Sequence, residues 1–253
     1  MGILKGKNAL VTGTSQGIGA AIAKNLVDAG CNIFMHYFRS AEEPERLKAY
    51  AIERDQNAEC LQADLRNEAE VIRCINAAVE LFGTFDVLVN NSGSLVERRS
   101  IAALDLAYWG KLIDINMTSM MLVTREMTPY LNRKDGASIV NLSSLAGRKG
   151  GHQGSLAYST TKGAVLAWTR SLSAELGPFG IRVNTVTPGF IEGTSFHKEH
   201  TSPEAGLATI ASIPLGRSGN PEDVARAVVF LASEYDGFIT GETIDINGGI
   251  YCA

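Results

Sequence analysis

The chain has 253 residues, 45% of them hydrophobic, and a formal net charge of −4. That size suits one large domain with a substantial core, and the acidic balance argues against a nucleic-acid-binding surface. No apolar run reaches the ~18 residues of a membrane span, and Met1 to Lys7 lack the apolar stretch of a secretory signal, so a cytoplasmic protein without membrane association is expected.

Asn8 to Thr12 is a short apolar run ending at Gly13, the pattern of a buried strand. Gly13-Thr14-Ser15-Gln16-Gly17-Ile18-Gly19 follows, then a helix with Ile18, Ile22 and Leu26 on one stripe that ends near Gly30. A glycine-rich turn between a strand and a helix puts free backbone N–H groups and the positive end of the helix dipole where a pyrophosphate can dock. Gly13 and Gly17 allow the tight turn, and Gly19 lets the helix pack close to the strand. The spacing G-x-x-x-G-x-G lacks the Gly-Lys-Ser/Thr ending of a P-loop. A second strand is predicted at Cys31 to Tyr37, then a helix opened by Ser40, with Glu43 completing a capping box. Dinucleotide folds place an acid at the end of that strand to bind a ribose 2′-hydroxyl. No acid occurs from His36 to Ala41, whereas Arg39 does. An arginine there can pair with a 2′-phosphate, which favours NADP over NAD.

Ala58 to Gln62 reads as the third strand, followed by Ala63-Asp64-Leu65 and a helix with Val71, Ile75, Ala78 and Phe82 on one stripe. Phe85 to Asn90 is the fourth strand and runs into Asn91-Ser92-Gly93. One long helix is predicted from about Asp105 to Leu131, with Asn116 inside it. Ala137 to Asn141 is the fifth strand, ending in Leu142-Ser143-Ser144. The next helix carries Tyr158 and Lys162 and stops at Gly177-Pro178. Ile181 to Val186 is the sixth strand, ending in Thr187-Pro188-Gly189. Residues 190–213 read as a polar, irregular, flexible substrate loop. Pro221 begins a helix with Val224, Val228 and Leu231 on one face, and Thr243 to Ile246 is the last strand. Apolar strands alternating with helices predict an α/β fold. It is a single doubly wound parallel sheet with helices on both faces, one domain over residues 1–253.

In such a sheet, ligands bind beyond the carboxyl ends of the strands. The chemically capable residues sort to those ends: Gly13 to Gly19, Arg39, Asp64, Asn91 to Gly93, Ser143 and Ser144, and Pro188-Gly189. Tyr158 and Lys162 stand four apart on the helix after the fifth strand, hence on one face. An ammonium beside a phenol favours the phenolate. Bringing a phenol from about 10 to neutrality takes roughly three units, or about 4 kcal/mol. One lysine is not expected to supply that, so a second cation is expected nearby. The four cysteines (Cys31, Cys60, Cys74 and Cys252) form no C-x-x-C pair and are expected as reduced thiols. His197 and His200 stand three apart without a third ligand, so no metal site is expected, and they and His152 read as solvated loop residues.

On Thr12 to Gly19, Asn90-Asn91-Ser92-Gly93, Asn116, Ser144, Tyr158-Ser159-Thr160-Thr161-Lys162 and Pro188-Gly189, the sequence resembles the short-chain dehydrogenase/reductase family in its classical branch. The resemblance spans essentially the whole chain and implies a Rossmann-type fold that transfers a hydride between NAD(P) and a carbonyl or secondary alcohol. It implies Tyr158 as general acid/base, Lys162 as its tuner and ribose ligand, Ser144 as a donor to the substrate oxygen, and Asn116 as support for a proton-relay water. Oxidised nicotinamide would be the second cation. Gly13, Ser15, Gln16, Gly17, Ile18, Gly19, Asn91, Ser92, Gly93, Pro188 and Gly189 would line the cofactor. Asp64 and Leu65 would flank the adenine, and Ile191 would meet the nicotinamide. Thr194 stands one residue beyond the family's carboxamide-binding threonine and carries no assignment. A homotetramer built on the helices bearing Asn116 and Tyr158 is expected. In overall pattern the best-matching subgroup is the 3-oxoacyl-carrier-protein reductases. Their basic face for an acidic carrier is reduced here, with Phe179 before Gly180 and Arg133 and Lys134 remaining. A polyol, sugar or small hydroxy-compound dehydrogenase is the alternative within the class, and a non-catalytic dinucleotide-binding sensor the alternative outside it. Arg98 and Arg99 read as a solvated charge pair that can also meet an anionic substrate.

Overall fold

In the computed structural model, which describes residues 3–194, 201–233 and 237–253, strands and helices alternate as the sequence implies. They run β1 (Asn8–Thr12), α1 (Gly17–Asp28), β2 (Asn32–Tyr37), α2 (Glu42–Ile52), β3 (Ala58–Gln62), α3 (Glu68–Phe82) and β4 (Val87–Asn90). Then come α4 (Leu106–Ile113), α5 (Ser119–Met127), β5 (Ala137–Leu142), α6 (Leu145–Lys149), α7 (Leu156–Leu176), β6 (Ile181–Pro188), α8 (Pro203–Ala211), α9 (Pro221–Ser233) and β7 (Thr243–Ile246). The strands join one parallel sheet in the order β3-β2-β1-β4-β5-β6-β7. Strand order therefore reverses direction between β1 and β4, the topological switch point where such sheets bind ligands.

Side-chain alternation divides the core into two layers. Ala9 and Val11 of β1, Ile33 and Met35 of β2, and Val87 and Val89 of β4 face one layer with Ile22, Leu26, Leu47 and Val228 from α1, α2 and α9. Leu10, Phe34 and Leu88 face the other, with Val71, Ile75, Val123 and Leu176 from α3, α5 and α7. Both faces are covered, which is why the strands read as continuous apolar runs. Each fully buried Leu, Ile or Phe side chain stabilises the fold by about 1.5–3 kcal/mol. Local signals fix the helix ends. Asn67 accepts from the backbone N–H of Ala69 and Glu70 at the start of α3. Asn220 and Asp223 cap each other reciprocally around Pro221 at the start of α9.

Several expectations need correction. Ser40 does not open a capping box. Helix α2 begins at Glu42, and Ser40 Oγ instead accepts from Glu42 N–H at 3.4 Å, two residues on, as serine does in a turn. Glu43 pairs with Arg46. The long helix from Asp105 to Leu131 is α4 and α5 joined by a π turn at Asp114–Thr118, with a 3₁₀ turn at Thr128–Tyr130. The stretch expected to be irregular at 190–213 contains α8, capped by Ser202 with Pro203 in its first turn. Gly206 in the middle of α8 hides the helix from propensity reading. Residues 195–200, including His197 and His200, lie outside the described residues. The cysteines are unbridged, with Cys31, Cys60 and Cys74 buried and Cys252 exposed. No described helix is long and apolar enough to cross a membrane.

Candidate active site

The carboxyl ends of β1 to β6 open onto a cavity of about 1130 Å³. Each predicted site residue lines it except Asn116, which stands immediately behind its wall. The glycine turn after β1 is built for close approach. A methyl group on Gly19 would lie 2.1 Å from the Gly13 carbonyl oxygen and 2.5 Å from Asn91 Nδ2, so nothing larger than glycine fits without displacing backbone. Helix α1 differs from α3, α4, α6 and α8 in having no side-chain cap at its N-terminus, and its first turn carries no acid. Its leading N–H groups thus lack an acceptor from its own cap residue and face the cavity lining at Gln16 to Gly19. A phosphate group fits that position.

Buried polar contacts tie the turn to neighbouring strands. Thr12 Oγ1 accepts from the N–H groups of Asn91 and Ser92, and Asn91 Nδ2 donates to the carbonyls of Thr12 and Gly13. Sequence reasoning passed over His36, the last buried residue of β2. Its Nε2 lies 2.9 Å from the Ala63 carbonyl, which can only accept, so that nitrogen carries the proton. Nδ1 is then free to accept from Gly13 N–H at 3.2 Å. Burial lowers the imidazole pKa to about 4, which keeps it neutral and in that role at physiological pH. A lone histidine in an otherwise apolar strand beside the glycine turn was the available signal.

Ser144, Tyr158 and Lys162 converge at the ends of β5 and α7. Lys162 Nζ donates to the Leu142 carbonyl at 2.8 Å, and Ser143 Oγ donates to the Lys162 carbonyl at 2.6 Å. Strand end and helix are therefore locked reciprocally, and Ser143 is structural. Its neighbour Ser144 accepts from Ala146 N–H and hydrogen-bonds the Tyr158 phenol. Lys162 Nζ sits 5.9 Å from the Tyr158 ring centre. Lys162 by itself does not bring the phenol toward neutrality. Burial pushes Tyr158 up to about 12, with the Ser144 hydroxyl pulling the other way, and burial brings Lys162 down to about 8. Desolvation is the largest cause of both shifts, and an additional positive charge beside the phenol would favour the phenolate.

Asn116 lies in the π turn and is almost fully buried. Its amide donates to the carbonyls of Ser94 and Leu112 and accepts from Ser94 N–H, clamping the segment after β4. A Cβ on Gly93 would sit 2.8 Å from Asn116 Oδ1 and 3.0 Å from Lys162 Nζ, so both groups can come this close to the backbone only because residue 93 is glycine.

At the far end of the cavity, Asp64 is held below the usual carboxylate range by its hydrogen bonds with Arg66. The guanidinium groups of Arg39 and Arg66 lie 6.0 and 5.7 Å from the centre of the Phe38 ring. Leu65 is buried beneath, while Pro188, Gly189 and Ile191 line the opposite end, with Ile191 bridged to Gly219. Thr194, left unassigned from sequence, also lines the cavity and packs against Gly17.

The model of the family described as enoyl-(acyl carrier protein) reductase matches residues 13–251. The chain is 37% identical over 245 residues to the 3-oxoacyl-[acyl-carrier-protein] reductase FabG of Staphylococcus aureus, covering 97% of this chain and 98% of that protein. Among solved structures it is similar to a short-chain dehydrogenase/reductase of the glucose/ribitol dehydrogenase type from Brucella melitensis, with a TM-score of 0.91, 33% identity and 100% of both chains covered. A blue fluorescent protein from a metagenomic library, solved in complex with NADPH, superposes with a TM-score of 0.91 at 30% identity, covering 98% of this chain and 99% of that one.

Proposed function

Because the chain belongs to the short-chain dehydrogenase/reductase family and is an NAD(P)-dependent oxidoreductase of that kind, we propose that it reduces a carbonyl to a secondary alcohol, or the reverse, at Ser144 and Tyr158. The carrying observation is the buried Tyr158 phenol, hydrogen-bonded to Ser144 at the end of β5 and facing the same cavity as the uncapped start of α1.

The residues present fit a dinucleotide. Gly13 to Gly19 would hold its diphosphate, Asp64 and Leu65 its adenine side, Asn91 to Gly93 its central ribose, and Pro188, Gly189 and Ile191 its nicotinamide end. When bound, the nicotinamide exchanges the hydride and in its oxidised form brings positive charge beside Tyr158. Ser144 Oγ–H donates to the substrate oxygen and holds it where Tyr158 can reach. In reduction, Tyr158 gives its phenolic proton to that oxygen as negative charge develops there; in oxidation it takes the proton back. Lys162 holds its ammonium near the phenol ring and would hold the ribose hydroxyls. Asn116 fixes the segment after β4 and supports the path by which a water replaces the proton.

The two arginines flanking Phe38 support NADP over NAD, since a 2′-phosphate would meet both while Asp64, the only carboxylate among the described lining residues, is already paired with Arg66. The substrate reading supported best is a 3-oxoacyl compound, from the Staphylococcus aureus relative's function. The dehydrogenase reading keeps its place because Phe179, stacked 4.5 Å from the Arg133 guanidinium, replaces a charge that a carrier protein would use. The chain is read as a single catalytic domain in a reducing, cytoplasmic setting. It would form a homotetramer through the helices bearing Asn116 and Tyr158, where Leu106 and Leu156 are exposed. Purified protein is assayed in both directions with both cofactors on 3-oxoacyl, polyol and sugar substrates. Tyr158→Phe is expected to abolish turnover while cofactor still binds. Turnover retained in Tyr158→Phe would overturn the mechanism, and NADPH binding without any turnover in the panel would favour the sensor.

A further inference from the structure

The segment from Ser94 to Arg99, which follows β4, is strained and held from both sides. Val96 has φ of +65°, a left-handed conformation that a β-branched residue rarely adopts. Asn116 grips Ser94, and the Tyr108 hydroxyl donates to the carbonyl of Leu95. Arg99 N–H donates to the Gly154 carbonyl at 2.8 Å, which docks the segment onto the loop at 150–155.

This arrangement sends the adjacent arginines in opposite directions. Arg99 turns away from the cavity, pairs with Glu97 and Asp105, and stacks 4.3 Å from the centre of the Tyr108 ring. Arg98 turns inward, lines the cavity, and lies along the docked loop with Nη1 3.4 Å from the Gln153 carbonyl. Lys149 and His152, before and within that loop, line the same end. No carboxylate among the described lining residues stands at this end, because Asp64 belongs to the end near Phe38 and is paired with Arg66. A neutral polyol would have no use for such a field, whereas an anion is drawn to it.

We infer that the substrate carries a carboxylate or phosphate in addition to its reacting oxygen, and that Arg98, with Lys149, binds that anion and sets which carbonyl compounds are accepted. This rests on the proposed placement of the reacting oxygen at Ser144 and Tyr158. Strain at Val96 fits the inference, since Arg98 is aimed only while that turn is held.

The test uses two matched pairs: acetoacetate with methyl acetoacetate, and dihydroxyacetone phosphate with dihydroxyacetone. Calorimetry on wild-type protein saturated with NADP⁺, where no reduction takes place, gives dissociation constants for all four. Steady-state reduction with NADPH gives kcat and KM. The anionic member of at least one pair is expected to bind ten times more tightly or better, and which pair does so separates carboxylate from phosphate. In Arg98→Gln that ratio should fall below threefold, appearing in KM rather than kcat, and Arg98→Lys should restore part of it. Lys149→Gln should lower it to a lesser extent. Equal affinity within both pairs, or a ratio unchanged in Arg98→Gln protein with wild-type melting and NADPH binding, would overturn the inference. If the anions bind preferentially yet none of the four compounds is reduced, the inference stands and the assigned reaction fails.

Discussion

Replacing Lys162 with methionine should make the cofactor-free protein more stable, although it should remove activity. Burial brings the Lys162 ammonium from 10.5 to about 8. At 1.36 kcal/mol per unit, holding that charge in the folded chain costs about 3 kcal/mol. Methionine removes the charge and keeps a similar length. It also leaves the Leu142 carbonyl without its 2.8 Å donor, a loss of about 1–2 kcal/mol. The net gain is about 1–2 kcal/mol, or roughly 3–6 °C in Tm for a chain of this size. The pH dependence gives the sharper check. Below pH 8 the lysine is charged in both the folded and the unfolded chain, so the full cost is present. Between about 8 and 10.5 the folded chain has released the proton while the unfolded chain still holds it, and wild-type stability rises with pH. Above 10.5 both forms are neutral and only the lost hydrogen bond separates the proteins. The advantage of Lys162→Met should therefore be greatest at pH 7, shrink through that window and invert above it. Thermal melts by circular dichroism at several pH values from 6 to 11 measure this. A variant that melts below wild type at pH 7, or a difference that stays flat across the window, would refute the account of Lys162 as a buried charge retained for function at the expense of stability.

Gly19→Ala should lower NADPH affinity at least tenfold, because its Cβ would lie 2.1 Å from the Gly13 carbonyl and the turn must open; overpacking of this kind costs about 1–3 kcal/mol. Fluorescence titration checks it, and unchanged affinity would mean that the turn does not hold the diphosphate. Asn116→Ala leaves the N–H and carbonyl of Ser94 without their side-chain partner. Urea unfolding should show a loss of about 2–4 kcal/mol, and a loss under 1 kcal/mol would show that the clamp is dispensable. Arg39→Ala should weaken NADPH binding by about 10–100-fold while NADH changes far less. Equal losses for both would remove Arg39 from the 2′-phosphate site.

The local part of this protein could be read from its sequence. Strand and helix periodicity follows from which residues can be covered on one or both faces, so Asn8–Thr12, Ala58–Gln62 and Thr243–Ile246 are strands where the pattern places them. The parallel sheet then carries Gly13, Arg39, Asp64, Ser144 and Gly189 to one edge by topology alone. What required tertiary structure is what depends on distant neighbours. The π turn at Asn116 exists with the amide of that residue reaching Ser94, 22 positions away in sequence. His36 becomes a support of the glycine turn only when the residue following β3 presents the Ala63 carbonyl to it. Arg98 and Arg99 are equivalent in a sequence, and only the strained turn at Val96 and the docked loop turn one inward and the other out. The same holds for Tyr158 and Lys162. Their spacing puts them on one face of a helix. The sign of each pKa shift is decided by desolvation, which belongs to the whole packed molecule and not to any stretch of chain.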